Sequence, residues 1–142
     1  GSCRERAASG RGRVSTPIGV GTDLVEVERI ARAIQKHGDR FVSRCFTDRE
    51  RREATRSGIK RSSERFAARF AAKEAVLKAL GTGWSGGIAW TDVAVASDES
   101  GRPYIVLEGR ARDVADAMNI KSWLCSMTHT AELASATVIA IG

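Results

Sequence analysis

The stretch Arg65–Gly83, RFAARFAAKEAVLKALGTG, contains no proline and no glycine before Gly81, and its interior residues are almost all good helix formers. It predicts one long helix ended by a glycine stop, a rod around which the rest of the chain must pack. At about 100° per residue, Phe66, Phe70, Leu77 and Leu80 fall in one stripe that should face a core. Beside it Ala67, Ala71, Glu74 and Lys78 project within roughly 60° of one another, so two methyl-sized residues leave room in front of a carboxylate and an ammonium. Glu74 and Lys78 read either as an exposed i, i+4 ion pair or as groups that meet a ligand. The helix runs into Gly81-Thr82-Gly83, a loop whose backbone suits close approach to a ligand.

A chain of 142 residues is large enough for one modest core and too short for two. No apolar run approaches the 18 or so residues of a membrane span, and no signal peptide is recognisable, so a soluble cytoplasmic protein is expected. Cys3, Cys45 and Cys125 are widely spaced and form no CxxC, which predicts free thiols. With histidines and cysteines scattered, carboxylates are the expected ligands of any metal, and they favour a hard ion such as Mg²⁺.

The net charge of +6 is unevenly placed. Residues 1–17 carry four arginines and one glutamate, and residues 25–65 carry twelve basic and seven acidic side chains, while the remainder is net negative. Such a basic region implies an anionic partner: a nucleic acid, a phosphorylated cofactor or an acidic protein. A nucleic-acid-binding module or a non-catalytic docking protein are the alternatives to an enzyme. The few aromatics and the lack of a recognition motif stand against the first.

Residues 1–16 read as a disordered basic leader, its Gly1-Ser2 start resembling a cloning remnant, and 17–142 as the single domain. Ile18-Gly-Val-Gly-Thr-Asp23 alternates with period two and predicts a short buried strand ending at Asp23. Asp23, with Glu26 three residues on, serves equally well as a helix N-cap or a metal ligand. A helix over Leu24–Lys36 should bury Val27, Ile30 and Ile34 and expose Arg29, Arg32 and Lys36. Asp39–Cys45 predicts a helical turn with Arg40 and Arg44 exposed, and Thr47-Asp-Arg-Glu50 a capping box opening a charged helix. Ser57–Ser63 reads as a polar link. Strands are expected over Ile88–Ala96, Tyr104–Glu108, Ser122–Thr128 and Ala134–Ile141, with a helix over Ala111–Met118, an α+β layout. His129 falls at a strand end among hydroxyls, as a structural residue or a phosphate contact.

Four motifs in this order are similar to those of a known family. They are Ile18-Gly-Val-Gly-Thr-Asp23 with Glu26 and Arg29-Ile30; Arg69-Phe-Ala-Ala-Lys-Glu-Ala75 through Lys78-Ala-Leu-Gly-Thr-Gly83; Gly101-Arg-Pro103; and Ser126-Met-Thr-His129. Together they resemble holo-acyl-carrier-protein synthase, the short trimeric type of 4′-phosphopantetheinyl transferase, from about Pro17 onward. The resemblance implies an antiparallel sheet packed on a long central helix. It implies Mg²⁺-dependent transfer of the phosphopantetheine arm of coenzyme A to a serine of acyl carrier protein, releasing 3′,5′-adenosine bisphosphate. Asp23 and Glu74 match the family's metal ligands, and Lys78 matches the lysine assisting at the pyrophosphate. Lys60, Arg61, Arg69, His129 and Thr130 match positions near coenzyme A, His129 arriving from a neighbouring subunit of a homotrimer. Carrier proteins of this type are acidic, so Arg29, Arg40 and Arg44, with Phe41 as an exposed apolar neighbour, are the expected docking face. Thr22, where the family usually has an aliphatic residue, the leader, and the 84–90 loop depart from the pattern.

Overall fold

Alanine and glycine decide how closely the elements approach. The computed structural model describes residues 14–56 and 58–142, with backbone alone at 59 and 60. Strand β1 (Pro17–Glu26) is followed by helices α1 (Val27–His37), α2 (Asp39–Cys45), α3 (Asp48–Thr55) and the long α4 (Ile59–Leu80). After a 3-10 turn at Trp90–Asp92 come β2 (Val93–Ser97), β3 (Pro103–Leu107), α5 (Gly109–Ala117), β4 (Ser122–His129) and β5 (Leu133–Ile141). Strands β1, β5 and β4 form an antiparallel sheet in that order, and β2 and β3 form a separate hairpin. The α+β architecture of an antiparallel sheet on a central helix is the expected one. No helix among the described residues is long and apolar enough to cross a membrane.

Helix α4 ends as predicted, with Gly81 in the left-handed region at φ 75° and its N–H returning to Leu77 and Lys78. Its start lies six residues earlier than expected. Gly58 precedes the first turn, so 59–63 of the supposed polar link are helical. Phe66, Phe70, Leu77 and Leu80 are buried in two adjoining clusters along the helix.

The small-residue face of α4 is not open. Ala67 and Ala71 are wholly buried, and a methyl group on Gly21 would lie 1.8 Å from the Ala75 carbonyl oxygen. Gly19 stands similarly over Ala79, at 3.1 Å. The close approach inferred for that face is therefore made by β1 itself. Gly21→Ala should push the strand off the helix and cost about 2 kcal/mol or more, lowering the melting temperature in calorimetry by several degrees.

Strand β1 also runs past its expected end. Asp23 pairs with Ala136 and Glu26 with Leu133, and the Val27 N–H donates to the Glu132 carbonyl. Asp23 is thus no N-cap; the cap position is Glu26, whose side chain makes no capping bond. Cross-strand pairing has overridden a local pattern that suited a helix start. Thr22 faces outward, its hydroxyl 3.2 Å from the Ala136 carbonyl and 3.3 Å from the Thr137 hydroxyl, so the departure from an aliphatic residue is satisfied within the sheet. On that face Val20, at 66% exposure, and Leu24, at 64%, leave a broad apolar surface with Leu124 and Leu133.

The Thr47–Glu50 capping box forms as read. Phe41 is corrected: it is half-buried, its ring 6.2 Å from that of Phe46. The first part of the expected 88–96 strand is instead the 3-10 turn, closed by the Ala89 N–H donating to Asp92. Trp90 there stacks on Phe70, with ring centres 4.7 Å apart, and on Trp84 at 3.8 Å, which anchors the 84–90 loop to α4. Of the leader read over 1–16, residues 1–13 and so Cys3 lie outside the described residues, while Thr16 exchanges two backbone hydrogen bonds with Gly142.

Candidate active site

The register of β1 and the face of α4 bring Asp23 and Lys78 together. Lys78 Nζ donates to Asp23 Oδ1 at 3.0 Å and to the Thr22 carbonyl at 2.9 Å. Lys78 therefore does not pair with Glu74, which lies one helical turn earlier on the same face, and the ion-pair reading of the two falls away. Glu74 is half-buried, and its carboxylate makes no hydrogen bond or ion pair among the described residues. Two carboxylates with oxygen left over suit a hard divalent ion that keeps several waters. No group of three or more His, Cys, Asp and Glu that could hold a metal ion gathers among the described residues. Beyond α4, Thr82 Oγ1 donates to the Gly83 carbonyl and Ser85 Oγ to that of Thr82, shaping the turn that Gly81 begins.

A second constellation lies toward the other end of α4. A cleft of about 1150 Å³ is walled by α3, α4, the tip of the β2–β3 hairpin and the end of β4. Arg69 sits at its base, 6% exposed, with Nη2 3.2 Å from Glu53 Oε2 and a buried Nε that has no partner. His129 lines the same cleft, its Nδ1 3.7 Å from Glu64 Oε1. The Thr130 hydroxyl accepts from the Glu132 and Leu133 N–H groups and is used in the β4–β5 turn. Arg61 is exposed near the start of α4, and the Lys60 side chain lies outside the described residues. Glu64 and Lys78 are fourteen residues apart on one helix, about 21 Å. Within a single chain, His129 and Lys78 are therefore separate.

Sequence reasoning missed three things here. The cleft is also lined by Arg49, Arg52, Arg56 and Arg102, which only the approach of α3 to the hairpin brings together. Glu53 binds Arg49, Arg69 and the Ser97 N–H. Burial pushes its carboxyl up, but these hydrogen bonds outweigh burial and hold it below the usual value. Lastly, Lys73 and Glu50 form an ion pair at 2.7 Å in the core, the lysine 0% and the glutamate 1% exposed. Spacing could have found Lys73, since Phe66, Phe70, Lys73, Leu77 and Leu80 share one helical stripe. Of the two cysteines described, Cys45 is buried, and burial pushes the Cys125 thiol up to about 11.

Arg29, Arg40 and Arg44 are exposed on α1 and α2. Arg29 lies 5.5 Å over the Phe70 ring and borders a shallow hollow of about 360 Å³ with Arg32 and Lys36.

An aspartate–lysine contact with an unpaired glutamate one helical turn away, and an arginine-rich cleft further along the same helix, suit phosphoryl transfer, and the relationships agree. Residues 19–135 match the 4′-phosphopantetheinyl transferase superfamily, to which this chain belongs. It is accordingly a transferase. Within the superfamily it is 46% identical over 122 residues to a holo-[acyl-carrier-protein] synthase of Solibacter usitatus, covering 86% of this chain and 96% of that protein. Among solved structures it is similar to the holo-[acyl-carrier-protein] synthase of Neisseria meningitidis, with a TM-score of 0.77 and 32% identity over 88% of this chain and 98% of that one. The Helicobacter pylori synthase in complex with coenzyme A gives a TM-score of 0.73 and 27% identity, over 85% and 98%.

Proposed function

We infer that this chain is a cytoplasmic holo-acyl-carrier-protein synthase, moving 4′-phosphopantetheine from coenzyme A to a serine of apo acyl carrier protein. The observation that carries the reading is the Asp23–Lys78 contact at 3.0 Å beside an unpaired Glu74. The serine oxygen bonds to the phosphorus that bears pantetheine, the bond from that phosphorus to the bridging oxygen breaks, and 3′,5′-adenosine bisphosphate leaves. Asp23 and Glu74 would hold Mg²⁺, which when bound supplies positive charge at the pyrophosphate oxygens. Lys78 offsets negative charge developing on the leaving phosphate. Glu74 accepts the serine proton, directly or through a water.

The active unit is a homotrimer. In support, His129 contacts Glu64, about 21 Å along α4 from Lys78 in the same chain. The apolar outer face of the β1–β5–β4 sheet also suits burial against further copies. A neighbouring copy would then bring His129 to the donor held at Lys78.

The test is incubation with coenzyme A, Mg²⁺ and apo carrier, followed by intact-mass measurement of the carrier. Addition of phosphopantetheine supports the reading, and an unchanged mass removes it.

The acidic carrier docks on α1 and α2. Arg29→Glu or Arg40→Glu should raise the apparent KM for carrier roughly tenfold at low salt while coenzyme A binding stays near its original value. The loss should shrink as salt shortens the Debye length below ~10 Å. Salt-independent loss, or loss of coenzyme A binding, would refute this face.

A further inference from the structure

The loop that joins α4 to the 3-10 turn is held from outside. It opens at Gly81, whose N–H returns to the Lys78 carbonyl at 3.1 Å, so its path starts beside the lysine of the candidate site. A methyl group added to Gly83, Gly86 or Gly87 would meet nothing within 4 Å, so packing does not confine these left-handed residues. Trp84 folds back onto Trp90, with ring centres 3.8 Å apart, but its buried Nε1 has no hydrogen-bond partner. Stacking alone therefore orients the indole, and the stack depends on where the loop backbone lies.

Helix α5 supplies the missing restraint. The Glu108 N–H, just before it, donates to the Asp92 carbonyl at 2.9 Å. A Cβ at Gly109 would stand 2.8 Å from Asp92 Oδ1, so only a glycine lets the helix start directly against that carboxylate. Asp92 in turn accepts from the Ala89 N–H at 3.0 Å and closes the turn that bears Trp90. Seated there, α5 carries Arg110 to the tip of the loop, where its Nε donates to the Gly86 carbonyl at 3.2 Å. Among the described residues, no other side chain from outside the loop hydrogen-bonds to residues 82–87. Arg110 makes no ion pair among the described residues, whereas Arg112, two positions on, faces Asp116 at 4.0 Å.

We propose that Arg110 of α5 is a positioning residue for the transferase: by holding the Gly86 carbonyl it fixes the loop beside Lys78, and with it the binding of coenzyme A. This rests on the coenzyme A reading above. The bonds that aim Lys78, to Asp23 and to the Thr22 carbonyl, come from β1 and do not pass through the loop. Loosening the loop should therefore weaken donor binding and leave the chemical step in place.

Circular dichroism of the full chain without ligand reads the loop, because two indoles stacked at 3.8 Å couple their transitions into a paired band that separated indoles lack. In Arg110→Ala that band should lose about half its amplitude or more at an unchanged melting temperature, while KM for coenzyme A rises about fivefold and kcat changes less than about twofold. Arg110→Gln keeps an N–H donor as many bonds from the backbone as the arginine Nε but removes the charge, and it should restore most of both. Arg112→Ala, which takes the same charge from the same helix, should match the original. An unchanged band in Arg110→Ala overturns the proposal, as does an unchanged KM or a fall in kcat alone. So does an Arg110→Gln variant as impaired as Arg110→Ala, which would make the charge and not the held carbonyl responsible, or an Arg112→Ala variant with the same losses. The band is read without coenzyme A or carrier, so its outcome is separate from that of the carrier-mass assay, on which the transferase reading stands or falls.

Discussion

Asp23→Asn and Glu74→Gln should each abolish carrier modification while leaving the melting temperature within a few degrees of the original. Both side chains reach the surface, and an amide keeps the size and one acceptor oxygen while losing the charge that attracts a hard cation. If that charge supports several kcal/mol of transition-state stabilisation, the rate falls about a thousandfold or more. Each variant also loses a second role: Asp23→Asn weakens the hold on Lys78, whose ammonium lies 3.0 Å from Asp23 Oδ1, and Glu74→Gln removes the acceptor of the serine proton, so raising Mg²⁺ should restore only part of the activity of either. Initial rates against Mg²⁺ concentration for the three proteins measure this. Full activity of Asp23→Asn at limiting Mg²⁺ would reduce Asp23 to a partner that merely orients Lys78.

The same aspartate marks where sequence reading reached and where it stopped. Asp23 with Glu26 satisfies a helix-start pattern locally, and nothing nearby says that β5, more than a hundred residues later, will pair with that segment through Glu26. The long helix was legible because its stripe of Phe66, Phe70, Leu77 and Leu80 and its Gly81 stop are local facts. Its start was not, because Gly58 and a run of polar residues resemble a linker, and only tertiary packing rewards extending the helix through them. The capping box at Thr47 was legible too, yet it hid the second use of Glu50: Oε1 takes the Thr47 N–H and the Lys73 ammonium, while Oε2 takes the Val95 N–H. His129 could be placed at the end of β4 by alternation alone. That it shares a cleft with the arginines of α3 depends on how α3 packs against β2, for which the sequence carries no periodic signal.

Lys73→Met should be the most destabilising single substitution away from the close-packed glycines. The ammonium sits in the core, donating to Glu50 Oε1 at 2.7 Å, to the Trp90 carbonyl at 3.2 Å and to the Val93 carbonyl. Burial pushes its pKa below the ordinary lysine value, and the Glu50 carboxylate acts against that shift. Taking the lysine away leaves a carboxylate at 1% exposure without its countercharge, at a cost of about 3–5 kcal/mol. It also frees the carbonyls of Trp90 and Val93, which tie the 3-10 turn and β2 to α4. Glu50→Gln in the Lys73→Met background removes the stranded charge but keeps an acceptor for only one of the Thr47 and Val95 N–H groups, which bond to different carboxylate oxygens. The double variant should therefore recover part of the loss in a urea titration, with a coupling energy of opposite sign to the single losses. If Lys73→Met and the double variant unfold at the same urea concentration, the stranded charge is not what destabilises the fold, and the lysine acts through its bonds to the two carbonyls. Recovery would instead identify the pair as the clamp that holds α3, and with it the arginine wall of the cleft, in register with the helix bearing Glu74 and Lys78.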